Sequence, residues 1–236
     1  MLLTDGWLMT RFPAGHKVPE FTVLASLLRM AAKYGFPDVR EQLIENIRGA
    51  YPTKWEDFEA TRVIGEDIFG SPKPHPNAVL NLFSEQNGIR FALPFAAYRV
   101  FLGGFPALTS NEPGTVLPRL TLASMAHGTG VIQLMTTGAA YDTVYSWGRG
   151  VCPDRLCVLN VDMNPTEKRM EALKKLFLHM IEGSDRNVNV LSPLSFEKIA
   201  CVNCAKALEE VHRRSRKELI WARLPSLLGW ESWKYA

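Results

Sequence analysis

The chain has few of the features that mark small secreted proteins, membrane proteins or nucleic-acid binders. Four cysteines in 236 residues are too few for a disulfide-dense scaffold. A chain of this length buries roughly 70–75% of the surface its unfolded form exposes, so it needs no disulfides to hold a core. No Asn-x-Ser/Thr acceptor occurs, since Asn164 is followed by Pro165. Met1-Leu2-Leu3 runs at once into Thr4 and Asp5, without the basic and apolar regions of a secretory signal. The two most apolar stretches are interrupted. Residues 91–108 carry Pro94, Arg99, Gly103, Gly104 and Pro106, and residues 120–141 carry His127 and three glycines. They read as buried helices rather than as spans of ~20 apolar residues, so no membrane is expected. The net charge of +3 and pI of 8.7 fall short of a nucleic-acid footprint, which is strongly basic and gathered on one face. Together these absences point to a reducing cytoplasmic or nuclear setting.

Catalytic signatures are missing as well. The chain holds no Gly-x-Ser-x-Gly, His-Glu-x-x-His or phosphate-binding loop. Gly128-Thr129-Gly130 resembles the start of a dinucleotide loop, but position 133 is Gln and no strand precedes it, so a helix break is the expected meaning. The five histidines, His16, His75, His127, His179 and His212, include no two at metal-ligand spacing. No enzyme is expected.

What remains is an ordinary globular composition, 47% apolar and 22% charged, patterned for helices. Leu24, Leu27, Leu28 and Ala31 recur at helical spacing over 22–34, and Gly35 follows as a C-cap. Pro37 and Asp38 open a second helix with Val39, Leu43, Ile44 and Ile47 on one face, giving an αα-hairpin. Thr53 and Glu56 read as a capping box for a helix over 54–60. Further helices are expected over 77–87, from Pro94 to Gly103, over 116–147 divided in two near Gly128 and Gly130, from Pro165 to Gly183, and over 199–223. The only strand candidates are Leu156–Val161 and Val188–Leu191. The expected fold is all-α, an irregular bundle of about eight or nine helices.

The cysteines form two pairs, Cys152-x4-Cys157 and Cys201-x2-Cys204. Thiolates at such spacing suit tetrahedral zinc, and the second pair sits where a helix N-terminus favours negative charge. The competing reading is structural. Cys201, Cys204, Leu208 and Val211 follow a buried helical stripe, and unbridged cysteine is among the most buried residue types. His212 lies eight residues beyond Cys204, or ~12 Å along a helix, too far to share an ion, and reads as a surface residue. The run His212-Arg213-Arg214-Ser215-Arg216-Lys217, interleaved with Glu209, Glu210 and Glu218, reads as a solvated helix face. Trp221, Trp230, Trp233 and Tyr235 read as an aromatic tail that packs back on the core.

Several segments carry a family resemblance. "LLRMAAKYGFPDVREQLIENI" (27–47), "YPTKWEDFE" (51–59), "NLFSEQNGIRFALPFAAY" (81–98), "CPDRLC" (152–157) and "CVNCAKALEEVHRRSRKELIWARLPSLLGW" (201–230) resemble, in this order, the region that follows the core of fungal BTB/POZ domain-containing proteins. Residues 1–20, with Gly6, Pro13, Gly15 and Pro19 and no clear period, read as a loose arm; the resemblance implies the helical end of a BTB-like module over 21–60 and a C-terminal helical domain over 61–236. It also implies a non-enzymatic interaction or adaptor protein whose partner is another protein. The β-strand/helix core that dimerises, and in some BTB proteins recruits a cullin-type ubiquitin ligase, belongs upstream, and residues 1–20 are too short to hold it. A shortened member without cullin recruitment is therefore expected. The recurring cysteine pairs imply a structural zinc held by Cys152, Cys157, Cys201 and Cys204. The alternative function is nucleic-acid or chromatin association through the basic face 212–217.

Overall fold

The computed structural model describes residues 20–61, 69, 72–148, 171, 174, 178, 191, 195–197 and 200–227. Among them the fold is all-α, with no strand. The strand candidate 156–161 lies outside the described residues, as do the 1–20 arm before Glu20 and the tail beyond Leu227; of the expected helix over 165–183 only Glu171, Lys174 and Leu178 are described, and all three are helical. Val188–Leu191 also lies outside them except for Leu191, a turn residue. The chain divides into two compact units, the first running to Met125 and the second from Ala126 to Leu227.

The first unit opens with α1 (Phe21–Tyr34) and α2 (Pro37–Ala50). Gly35 takes φ +68°, and its N–H donates to the Ala31 carbonyl. Phe36 N–H reaches the same carbonyl at 3.0 Å. Only glycine adopts this left-handed turn readily, so the hairpin forms where the sequence places it. Pro37 then starts α2, where its missing N–H costs nothing. Leu24, Leu28 and Ala31 of α1 are buried, as are Leu43, Ile44 and Ile47 of α2.

After α3 (Trp55–Thr61) come α4 (Pro76–Glu85), a 3-10 turn (Arg90–Ala92), α5 (Leu93–Leu102) and α6 (Gly104–Leu108). Nearly every residue of α5 is buried, and its only charge is Arg99. A helix apolar all round belongs in the middle of a core. Tyr51, just past α2, is the ring on which this core converges. Its centroid lies 4.9 Å from Phe83, 5.8 Å from Phe95 and 6.2 Å from Phe69, and Phe58 meets Phe95 at 5.9 Å. Residues 51–58 therefore share a core with α4 and α5, across the division expected near residue 60. Burial pushes the Tyr51 phenol well above its ordinary range, opposed by the Arg99 charge. At Gly103 an added Cβ would sit 2.6 Å from the Ala107 Cβ, so α6 can fold against the end of α5 only because this residue has no side chain.

The 30-residue α7 (Arg119–Gly148) corrects the expectation of two helices. Gly128 and Gly130 lie within one continuous helix. A glycine inside a helix costs only ~1 kcal/mol relative to alanine, less than the burial of Met125, Ile132, Ala139 and Ala140 returns. The same continuity rules out a dinucleotide loop there. Its exposed face from His127 to Tyr141 carries no formal charge.

In the second unit α8 (Val202–Ser215) passes into a π turn (Arg216–Ile220), a 3-10 turn (Trp221–Arg223) and α9 (Leu224–Leu227). The expected helix over 199–223 is thus helical from Val202 onward, but changes from α to π geometry after Ser215. π turns place an additional residue on one helix face and occur often at functional positions.

Two asparagines of α4 hold the segment that leads into α7. The Asn77 amide donates to the carbonyls of Ala107 (2.6 Å) and Thr115 (2.8 Å). Asn81, one turn on, donates to Gly114 and Val116, both at 3.1 Å. Asn77 is fully buried, so its removal strands two carbonyls away from water. Asn77→Ala should cost about 2–3 kcal/mol and Asn81→Ala under about 1 kcal/mol. Urea unfolding should show this as midpoint shifts at unchanged slope; equal costs for the two would contradict the assignment.

Candidate functional site

The residues singled out in the sequence gather on α8, at its two ends. Cys201 is the N-cap, extended at φ −67° and ψ 162°, and its carbonyl accepts the first helical hydrogen bond, from Ala205 N–H at 2.7 Å. Its side chain makes no capping bond, and no acidic residue occupies the first helical turn. Cys201 is half-buried, while Cys204 is 1% exposed. Neither is joined in a disulfide.

These two are half of the expected metal set; Cys152 and Cys157 lie outside the described residues. The thiols present fit half of a structural zinc site, two sulfur donors at one helix N-terminus. Among the described residues, no three His, Cys, Asp or Glu side chains form a group able to hold a metal ion.

The other end of α8 overturns the solvated-face reading. His212 is 7% exposed and Arg216 5% exposed, and Ser215 is buried beside them. The buried line runs Ala205, Leu208, His212, Ser215, at spacings of three, four and three, and Cys204 adjoins it. Val211, assigned to the stripe from sequence, is only half-buried. The signal was present in that spacing, but two apolar and two polar residues do not announce a core face.

Specific partners hold the polar residues there. An Arg216 guanidinium N–H donates to the Leu191 carbonyl. Ser215 Oγ donates to Asp142 Oδ2 of α7 at 2.6 Å. The His212 ring meets Phe196 edge to face, with centroids 5.9 Å apart. Burial first, and the neighbouring Arg216 charge second, push His212 down to about 3, so the imidazole is neutral in the folded chain at ordinary pH.

The rest of the basic run is exposed or paired. Arg213 forks onto Glu210 with bonds of 2.7 and 2.8 Å, and that bond holds the Glu210 carboxyl below its usual range. Arg214 and Lys217 are exposed. A phosphate-binding face across 212–217 therefore lacks two of its members.

A different surface stands out on α1. Besides its buried stripe, the helix carries Val23, Leu27, Met30 and Tyr34 at spacings of four, three and four. Met30 is 52% exposed and Tyr34 58% exposed, Val23 is also exposed, and Leu27 is half-buried. Phe36 extends this line beyond the helix, its ring 6.5 Å from Tyr34. Arg29, at the edge, reaches Glu85 of α4 at 3.1 Å. From spacing alone Leu27 grouped with Leu24, Leu28 and Ala31, which hid this second stripe.

No family model, curated protein or solved structure matches the chain. Among the described residues, no helix is long and apolar enough to cross a membrane.

The buried His212 has a measurable consequence. Its folded pKa lies below its unfolded value of about 6.5, so the unfolded chain takes up the proton first as pH falls. Stability is full above pH 6.5 and is lost progressively toward pH 3. His212→Leu should flatten that fall by on the order of a few kcal/mol, read as thermal midpoints at pH 7, 5.5 and 4. Parallel pH profiles for the two proteins would show that His212 is not buried neutral.

Proposed function

We propose that this chain is a non-enzymatic helical interaction protein that receives an apolar helix of a protein partner along Val23, Leu27, Met30 and Tyr34 of α1. The carrying observation is the second apolar stripe on a helix whose first stripe already serves the core. Amphipathic partner helices dock through anchors at this spacing, and a contiguous exposed apolar surface commonly marks an interaction site. The adaptor role implied by the BTB/POZ resemblance agrees with this reading. Burial of His212 and Arg216 weighs against nucleic acid as the partner.

A photo-crosslinking residue at Met30 should give discrete protein adducts in cells, and one at Glu41 of α2 should not. Tyr34→Glu should remove the Met30 adducts without changing the melting temperature. Equal labelling from both positions would refute an α1 docking face.

The same reading includes a zinc staple formed by Cys152, Cys157, Cys201 and Cys204. The purified chain should carry one zinc. Cys201→Ser should release it and lower the melting temperature by roughly 5 °C or more, since each kcal/mol shifts a chain of this size by about 2–4 °C. A metal-free chain that melts unchanged on this substitution would make the cysteines ordinary core residues, because half-exposed positions tolerate such changes within about 0.5 kcal/mol.

A further inference from the structure

We propose that the helix received on α1 is α1 of a second copy of this chain, packed antiparallel about a two-fold axis between Leu27 and Met30. The inference rests on the docking reading above and names its partner. Val23, Leu27, Met30 and Tyr34 follow spacings of four, three and four, which read the same in both directions. An antiparallel copy therefore meets the stripe in register, Val23 against the partner's Tyr34 and Leu27 against the partner's Met30. Alternating intervals of three and four are the repeat by which two helices interlock their side chains. One patch meeting itself about a two-fold axis is the commonest way a chain closes on its own copy.

The charges at the two ends of the stripe set its direction. Glu20, the N-cap of α1, lies three residues before Val23 and continues the same line. It is exposed, and Thr22 Oγ1 donates to its Oε1 at 3.2 Å. Lys33 is exposed at the other end, its Nζ 5.3 Å from the centroid of the Tyr34 ring. Phe21–Tyr34 holds no acidic residue, and its other cation, Arg29, already pairs with Glu85 at 3.1 Å. Each α1 thus presents an acid at its start and a base at its end. A parallel copy would set like charges side by side, which is costly at an interface. An antiparallel copy sets Glu20 toward the partner's Lys33, twice over. In the register above, Lys33 stands level with the partner's Leu24, four residues or ~6 Å along the axis from the partner's Glu20. The two long side chains span that offset together.

A 14-residue helix against its copy is a small contact, and interfaces below about 1,200 Å² belong to transient encounters. The dimer is therefore weak and concentration-dependent.

The test is sedimentation velocity of the full chain from about 10 μM to about 1 mM, the range in which weak association is read. The wild type should pass from monomer to dimer. Lys33→Glu and Glu20→Lys should each weaken the dimer by roughly tenfold, since each disturbs two exposed ion pairs. The double variant Glu20→Lys, Lys33→Glu should return to within about threefold of the wild type. Tyr34→Glu should leave a monomer, and all four variants should melt with the wild type because the positions are exposed. In a mixture of isotopically labelled and unlabelled chains, a photo-crosslinker at Met30 should join the two at Leu27. Three results would overturn the proposal: a monomer throughout, a dimer indifferent to Tyr34→Glu, or a double charge reversal no tighter than the single ones. The rescue decides the matter even where one single variant folds poorly. A monomer whose Met30 crosslinker captures other proteins in cells would sink the second copy and leave the α1 docking face standing. Equal labelling from Met30 and Glu41 would sink both.

Discussion

The aromatic cluster around Tyr51 is the contact on which the first unit depends. One ring, set just beyond α2, meets Phe69, Phe83 and Phe95, and so ties the end of the αα-hairpin to α4 and α5. Edge-to-face rings add ~0.5–1.5 kcal/mol per pair beyond the area they bury. Burial also makes ionisation of the Tyr51 phenol unfavourable, which keeps this core uncharged. With the hairpin anchored in this way, α1 keeps its outer stripe exposed. The inner stripe of Leu24, Leu28 and Ala31 is buried, and Val23, Met30 and Tyr34 are exposed.

The second unit is organised differently. Its central helix, α8, buries polar groups as well as apolar ones. A buried arginine is tolerated because its guanidinium meets the Leu191 carbonyl, and Ser215 is tolerated because Asp142 accepts its hydrogen bond. Removing one partner of such a pair costs far more than the pair itself contributes. These contacts therefore specify how α8 sits against its neighbours more than they add stability. The π turn after Ser215 places Ser215 and Arg216 consecutively on the buried side.

Much of the helical pattern was legible in the residues. Gly35 with Pro37 located the hairpin, and the helix starts expected at 77 and at Pro94 fell within one residue of those of α4 and α5. The apolar periods of 22–34 and 77–87 matched α1 and α4 closely. Gly128 and Gly130 misled, because glycine is only a weak breaker when both sides of a helix pack well. The site was less legible. Cys201 and Cys204 could be placed at a helix N-terminus from spacing, but not their unequal exposure. The basic run looked solvated because charge normally implies water, and Glu209, Glu210 and Glu218 between the cations strengthened that impression.

The sequence by itself determined the helices, the αα-hairpin turn and the position of the thiol pair. Each of these depends on residues a few positions apart, through caps, backbone freedom and the 3.6-residue period. Tertiary structure alone decided which polar side chains are buried. Arg216 is held by a carbonyl 25 residues away and Ser215 by a carboxylate 73 residues away. No local period encodes a partner at that distance, and a charged side chain enters a core only where such a partner is waiting.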